Sequence, residues 1–279
     1  MSQTPQTAAL PSIPRESVLA QRIRYLRELY GWRPLIRYLT GSSLRVESVN
    51  LSFGFLWWCL DPLLQMLVYT LVISVVLGRG TPNYPLFVMC AMLPWQFFVR
   101  ATRNSIADTR EKTRNMRQVA FPRAVIPLAA TFAELIRVIA ALGLFLVFAI
   151  PFGVTPSPTA LLAVPLLALL VTTALGFAFF LSAFNLFVRD TEQAMAHVFR
   201  LWMFLAPVLY STDRVPARFR LLFELNPLAG TLEGFRSVLF FHQVPAALPL
   251  IADAAGSLAL LAVGFAFFVA TERAFAKLA

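Results

Sequence analysis

Apolar runs long enough to form membrane-crossing helices alternate along this chain with short basic or proline-bearing segments, so the breaks between runs are the first guide to its fold. Residues 1–17 carry Pro, Ser and Thr without periodicity and are expected to be a disordered tail. Over 18–50 the pattern changes: Leu19, Ile23, Leu26, Leu29 and Tyr30 recur at helical spacing, with Arg22, Arg24, Arg27 and Arg33 between them. That is an amphipathic interface helix, either lying in a membrane surface or packed on the protein's own cytoplasmic side.

From residue 51 onward the runs approach the roughly 20 apolar residues that a helix needs to cross hydrocarbon. The first is expected over 62–78, because Asp61 followed by Pro62 makes a good N-cap and first helical position, whereas an unpaired carboxylate in the bilayer would cost at least ~2.5 kcal/mol. A second run, 84–99, contains Pro94 and turns basic; the third and fourth cover 124–150 and 159–188. Residues 198–210 offer a short fifth run and 248–270 the last. Between these two, the segment 211–241 reads as two short amphipathic helices broken at Asn226-Pro227, a pair that dips into the outer membrane face and returns. The reading is an all-α integral membrane protein of six transmembrane helices, with the six-span domain occupying 51–279.

Charge sets the orientation. Arg100, Arg103, Arg110, Lys112, Arg114, Arg117 and Arg123 fall between the second and third runs, and Lys and Arg beside membrane spans stay in the cytoplasm. Seven more lie before the first run, and this orientation places eighteen of the 24 Lys and Arg inside against five outside, so both termini are expected to be cytoplasmic. Composition agrees: 58% of the 279 residues are hydrophobic, 14% are charged, and the mean hydropathy is +0.70. The formal charge of +10 flanks apolar runs and forms no separate basic domain, which points to anionic headgroups and topology and away from nucleic acid. Cys59 and Cys90 both sit in apolar runs, where cysteine behaves as a small hydrophobe.

The chain carries no catalytic signature. There is no G-x-x-x-x-G-K-[ST] loop to cradle ATP phosphates, no nucleophile elbow, no H-E-x-x-H and no dinucleotide fingerprint, and His197 and His242 have no ligand cluster nearby in sequence. No catalytic residue, metal site or cofactor is assigned, and if transport is ATP-driven the ATPase is another subunit. Glu134 and Arg137 lie three residues apart on one helix face, where they can pair and lower the cost of burial. A secondary transporter would have to use Glu134, Arg137 or Asp253. Aromatic residues make up 13% of the chain. Phe53, Phe55, Trp57, Trp58 and Tyr69 gather about the first run, and Phe199, Trp202, Phe204 and Tyr210 about the fifth. Many such rings belong to an interfacial belt; the sharper reading is that they line a conduit, because a ring face offers broad contact without fixed hydrogen bonds and suits a sliding sugar chain.

In order over roughly residues 44–241, the segments LSFGFLWWCLDPLLQMLVYT, MLPWQFF, QVAFPRAVIPLA, FNLFVRDTEQ, APVLYS and LNPLAGTLEGFRSVLF resemble the membrane-spanning subunit of ABC-type exporters of bacterial surface polysaccharides, which serve O-antigen, teichoic acid and some capsule systems. One departure is Asp61, where many relatives have Asn before Pro. The resemblance implies a homodimer of six-span subunits in the inner membrane, with two ATPase subunits that bind ATP and Mg attached below, and a lipid-linked polysaccharide, most often O-antigen, as cargo. It also implies that 108–123, with Arg110, Lys112, Arg114, Arg117, Phe121, Pro122 and Arg123, is the coupling segment seated on the ATPase. By the same resemblance 211–241 is the periplasmic gate, with Pro207, Asn226, Pro227 and Arg236 at it. The alternatives from the residues alone are an ATP-driven exporter of a small molecule or drug and a secondary transporter.

Overall fold

A computed structural model describes residues 18–50, 57–115, 121–154, 157–219 and 226–278. The tail, Phe53, Phe55, Arg117 and residues 220–225, which belong to the first of the two expected gate helices, lie outside the described residues. What is described is helical: α1 Val18–Gly31, α2 Arg33–Asn50, α3 Trp57–Thr70, α4 Tyr84–Asn115, α5 Val125–Ala149, α6 Ala163–Phe184, α7 Thr191–Leu205, α8 Ala229–Leu239 and α9 Ala247–Leu278. Three apolar stretches are long enough to cross a membrane, Val125–Phe152, Pro158–Phe184 and Ala247–Glu272, and Leu60–Val76 is a shorter apolar helix.

The helix expected over 18–50 is two. Gly31 ends α1 and Pro34 stands in the first turn of α2, the arrangement that stops one helix and starts the next, with Trp32 at the break. Asp61 is likewise not an N-cap. It lies inside α3, and its carboxylate is satisfied by an ion pair with Arg100 of α4 and a hydrogen bond from Gln65. The partner removes the penalty that argued for a helix start at this position. After Thr70 the helix loosens into a wider π turn over Leu71–Val76 and turns back toward α4.

The largest departure is α4. The second apolar run and the basic stretch behind it form one helix of 32 residues with Pro94 inside it. Beyond Arg100 the helix still buries a stripe of Ala101, Thr102, Ser105, Ile106, Thr109 and Thr113, at the three-to-four-residue spacing of one face. Arg103, Arg110 and Arg114 occupy the opposite, exposed side.

Helix α4 is the central post: α5 and α6 pack along it, α3 and α7 lean on it, and α8 crosses one end. The closest partnership is between α6 and α9. Two glycines make it possible, since a Cβ on Gly264 would stand 2.4 Å from the Gly176 carbonyl oxygen and one on Gly176 would stand 2.9 Å from Leu261 N. Small residues let helix backbones meet where lipid supplies no hydrophobic drive for association. Replacing Gly264 with Ala is therefore expected to force the two helices apart and destabilise the protein by about 1–3 kcal/mol, read as a lower Tm in detergent. Gly143→Ala, a site with nothing within 4 Å, should leave Tm unchanged.

Candidate functional site

The densest polar structure lies where α7 ends and α8 begins. Arg236 on α8 is fully buried, at 0% exposure, and its guanidinium donates to the Pro207 carbonyl at 2.8 Å, the Val208 carbonyl at 3.0 Å and the Tyr210 carbonyl at 3.4 Å. Glu233, one turn back on α8, neutralises it, and the Phe87 ring of α4 lies 4.0 Å beneath the guanidinium carbon. The remaining carbonyl of the turn, Leu209, accepts from the Tyr84 hydroxyl at 2.8 Å. Residues 207–210 thus form an irregular turn whose carbonyls are all answered by side chains, as buried non-helical backbone requires. The planar five-donor fork of arginine is what allows one residue to reach this many acceptors.

Two further devices seat α8. The Asn226 side chain accepts from Leu228 N at 3.1 Å, a local turn that opens the helix ahead of Pro227. Asp253 of α9 accepts from both the backbone N–H and the hydroxyl of Thr231, at 2.7 and 2.8 Å, and so answers an N–H in the first turn of α8. Gly230 and Gly234 let α8 press against Pro249 and Leu166. Pro207, Asn226 and Arg236 therefore meet in one assembly. Glu233, Tyr84, Phe87, Thr231 and Asp253 join them, and no local sequence pattern linked these residues.

The aromatic residues divide. Phe199 is buried, at 2% exposure, and Trp202 stacks with it inside a cluster completed by Trp95, Phe98 and Phe177. Phe199 packs in this cluster against Phe98 and Trp202. Phe204, at 53%, is exposed, and Trp57, Trp58, Tyr69 and Tyr210 are half-buried. Tyr69 reaches Met203 of α7, while Trp58 lies 5.2 Å from the Arg137 guanidinium carbon.

Beside Trp58 a ladder of polar contacts joins α3, α4 and α5. It consists of Asp61 with Arg100, Gln65 with Gln96 at 3.0 Å, and Glu134 with both Arg137 and Asn104. Glu134 is 2% exposed, and the pairing foreseen from its spacing is present. At the basic end of α4, Arg110 and Arg114 are exposed and Lys112 pairs with Asp108 at 2.6 Å. Beyond the gap Phe121 and Pro122 are buried, and the Arg123 guanidinium sits over Phe121 at 4.8 Å. Among the described residues no three His, Cys, Asp or Glu side chains come together to hold a metal ion.

Apolar helices long enough to cross a bilayer, an irregular turn held by a buried arginine and an exposed basic helix end describe a helical membrane protein. Residues 43–240 match the ABC-2 type transporter family, and the chain belongs to that family, a membrane transport component. It is 31% identical over 257 residues to the O-antigen export system permease protein RfbA of Myxococcus xanthus, covering 91% of this chain and 99% of that protein. Two Klebsiella pneumoniae proteins of the same name are 30% and 29% identical, covering 75% and 73% of this chain and 81% and 79% of their own lengths.

Arg236→Lys should keep the charge and lose the fork. Each carbonyl of the 207–210 turn left unanswered costs about 1–3 kcal/mol, so the variant is expected to unfold at a lower temperature and to be cut faster by protease between α7 and α8. An unchanged Tm and cleavage rate would contradict this account of the turn.

Proposed function

We propose that this chain is the permease subunit of an ATP-driven exporter that carries lipid-linked O-antigen polysaccharide across the inner membrane. The observation that carries the reading is near end-to-end similarity to a protein named as an O-antigen export permease. In this reading two copies form the conduit, each with six spans and cytoplasmic termini. Helix α3 with its π-helical extension, the apolar part of α4 and α7 with the turn behind it supply the spans beyond the three long apolar helices. Two ATPase subunits, holding ATP and Mg2+, dock on residues 108–123, for which the exposed Arg110 and Arg114 suit an acidic groove.

The aromatic rings left accessible, Trp57, Trp58, Tyr69, Phe204 and Tyr210, would contact the passing polymer, with Phe199 and Trp202 as the packed wall behind them. The turn 207–210 and α8 would be the periplasmic gate, moving as one body because Arg236 ties them together. ATP hydrolysis would bias this gate between closed and open arrangements. Secondary transport fits less well: Asp253 answers the start of α8 and Glu134 is held by Arg137 and Asn104, so both carboxylates have structural work.

Cells lacking this chain are expected to accumulate lipid-linked polysaccharide inside and lose it from the surface; unchanged surface polysaccharide would contradict the reading. Reversing Arg114 and Arg117 to Glu should lower ATPase assembly or coupled hydrolysis, measured by co-purification and phosphate release. Trp57→Ala should leave the complex intact and weaken export roughly fivefold, the loss of about 1 kcal/mol of aromatic contact.

A further inference from the structure

Helix α9 ends beside the return of the segment 108–123, and one carboxylate bridges them. Glu272, on the last turns of α9, accepts from the backbone N–H of Arg123 at 2.5 Å. Arg123 stands immediately before Ala124 and the start of α5, where backbone N–H groups have no helical acceptor and the helix dipole favours a negative charge. Glu272 thus closes the beginning of α5 from 149 residues away in sequence. The surrounding contacts hold the same point. Phe121 packs against Trp32 at the break between α1 and α2, with ring centroids 6.4 Å apart. Tyr25 of α1 meets Phe265 of α9 at 5.9 Å, and Phe265 and Phe268 both pack on Phe179 of α6. The Tyr25 hydroxyl lies beside the Glu272 carboxylate without a well-formed hydrogen bond, and burial, reinforced by that carboxylate, holds it far above the ordinary phenol range. The Arg123 guanidinium and Glu28 are the other charged groups at Glu272.

We propose that Glu272 is a positioning residue for energy coupling: it ties the exit of the coupling segment to α9, so that a push on residues 108–123 displaces α9, and α8 with it, and does not dissipate in the loop. The path onward is continuous, because α9 holds α8 through Asp253 and Thr231, and α8 carries Arg236, which binds the turn 207–210. Without Glu272 the same push would meet a helix start with that N–H unanswered and would pass to α9 only through the apolar cluster that Phe121, Ala124 and Val125 share with Phe268. This inference rests on the reading of 108–123 as the ATPase-docking segment.

The test is made on the intact complex with its ATPase, reconstituted in liposomes and supplied with the host's lipid-linked polysaccharide, reading ATP hydrolysed and polymer translocated together. Glu272→Ala is expected to leave hydrolysis within about twofold of wild type while polymer moved per ATP falls about fivefold or more, a coupling loss of ordinary size. Glu272→Gln, which keeps an acceptor for the Arg123 N–H and loses the charge, should fall between the two. A wild-type ratio in Glu272→Ala overturns the proposal, and so does a parallel fall of both rates in an assembled complex, since that marks a structural role alone. If Glu272→Ala does not assemble, Glu272→Gln decides: a ratio at least about twofold below wild type supports coupling through this contact, and a wild-type ratio overturns it. A wild-type complex that hydrolyses ATP and exports no polymer would refute the functional reading itself; a coupled wild type indistinguishable from its variants would refute only the role of Glu272.

Discussion

A guanidinium with no access to water needs its partners within the protein, and Arg236 finds them for both terminal nitrogens by gathering the carbonyls of one irregular turn and the Glu233 carboxylate. That requirement organises this end of the molecule. The turn 207–210 keeps its course because Arg236 and Tyr84 answer its carbonyls. Helix α8 keeps its position because Arg236 grows from it and Asp253 answers its first turn, and α4 is drawn in through Phe87. Removing one partner from such a network costs more than the bond itself, because it strands a buried charge or carbonyl. The segment therefore moves, if it moves, as a unit.

The same rule governs the charges within the helical bundle. Glu134 with Arg137, Asp61 with Arg100 and Glu233 with Arg236 are paired. The Asp61–Arg100 pair and the Gln65–Gln96 bond fasten α3 to α4, and the Asn104–Glu134 bond fastens α4 to α5, by polar contacts that hydrocarbon cannot compete for. Aromatic and aliphatic side chains are left to form the exposed apolar surfaces.

Much of this was legible in the sequence. The long apolar helices α5, α6 and α9 follow from run length, and the Glu134–Arg137 pair from a spacing of three. The helix opening behind Asn226-Pro227 follows from its turn chemistry. What escaped depends on partners distant in sequence. Asp61 read as a cap because Arg100, which neutralises it, is 39 residues away. Asp253 read as a candidate for secondary transport, and it answers the beginning of α8; Glu272 meets the Arg123 N–H from 149 residues away in sequence. The burial of Phe199 depends on Phe98 of α4, far away in sequence, as well as on Trp202 of its own helix. Two signals were local and were overshadowed: the Gly-Trp-Arg-Pro break at 31–34, and the buried stripe that carries α4 past Arg100 behind its more conspicuous arginines.

The central claim is that this chain, without a nucleotide site, converts its partner's ATP hydrolysis into movement of a lipid-linked polysaccharide. Its most direct test is the ATPase rate of the reconstituted complex with and without the host's purified lipid-linked O-antigen, polymer translocation being followed in the same vesicles. The account predicts that the polymer stimulates hydrolysis and crosses the membrane only with ATP. Hydrolysis indifferent to polymer and stimulated instead by small amphipathic molecules, or transport that persists without the ATPase, would contradict it.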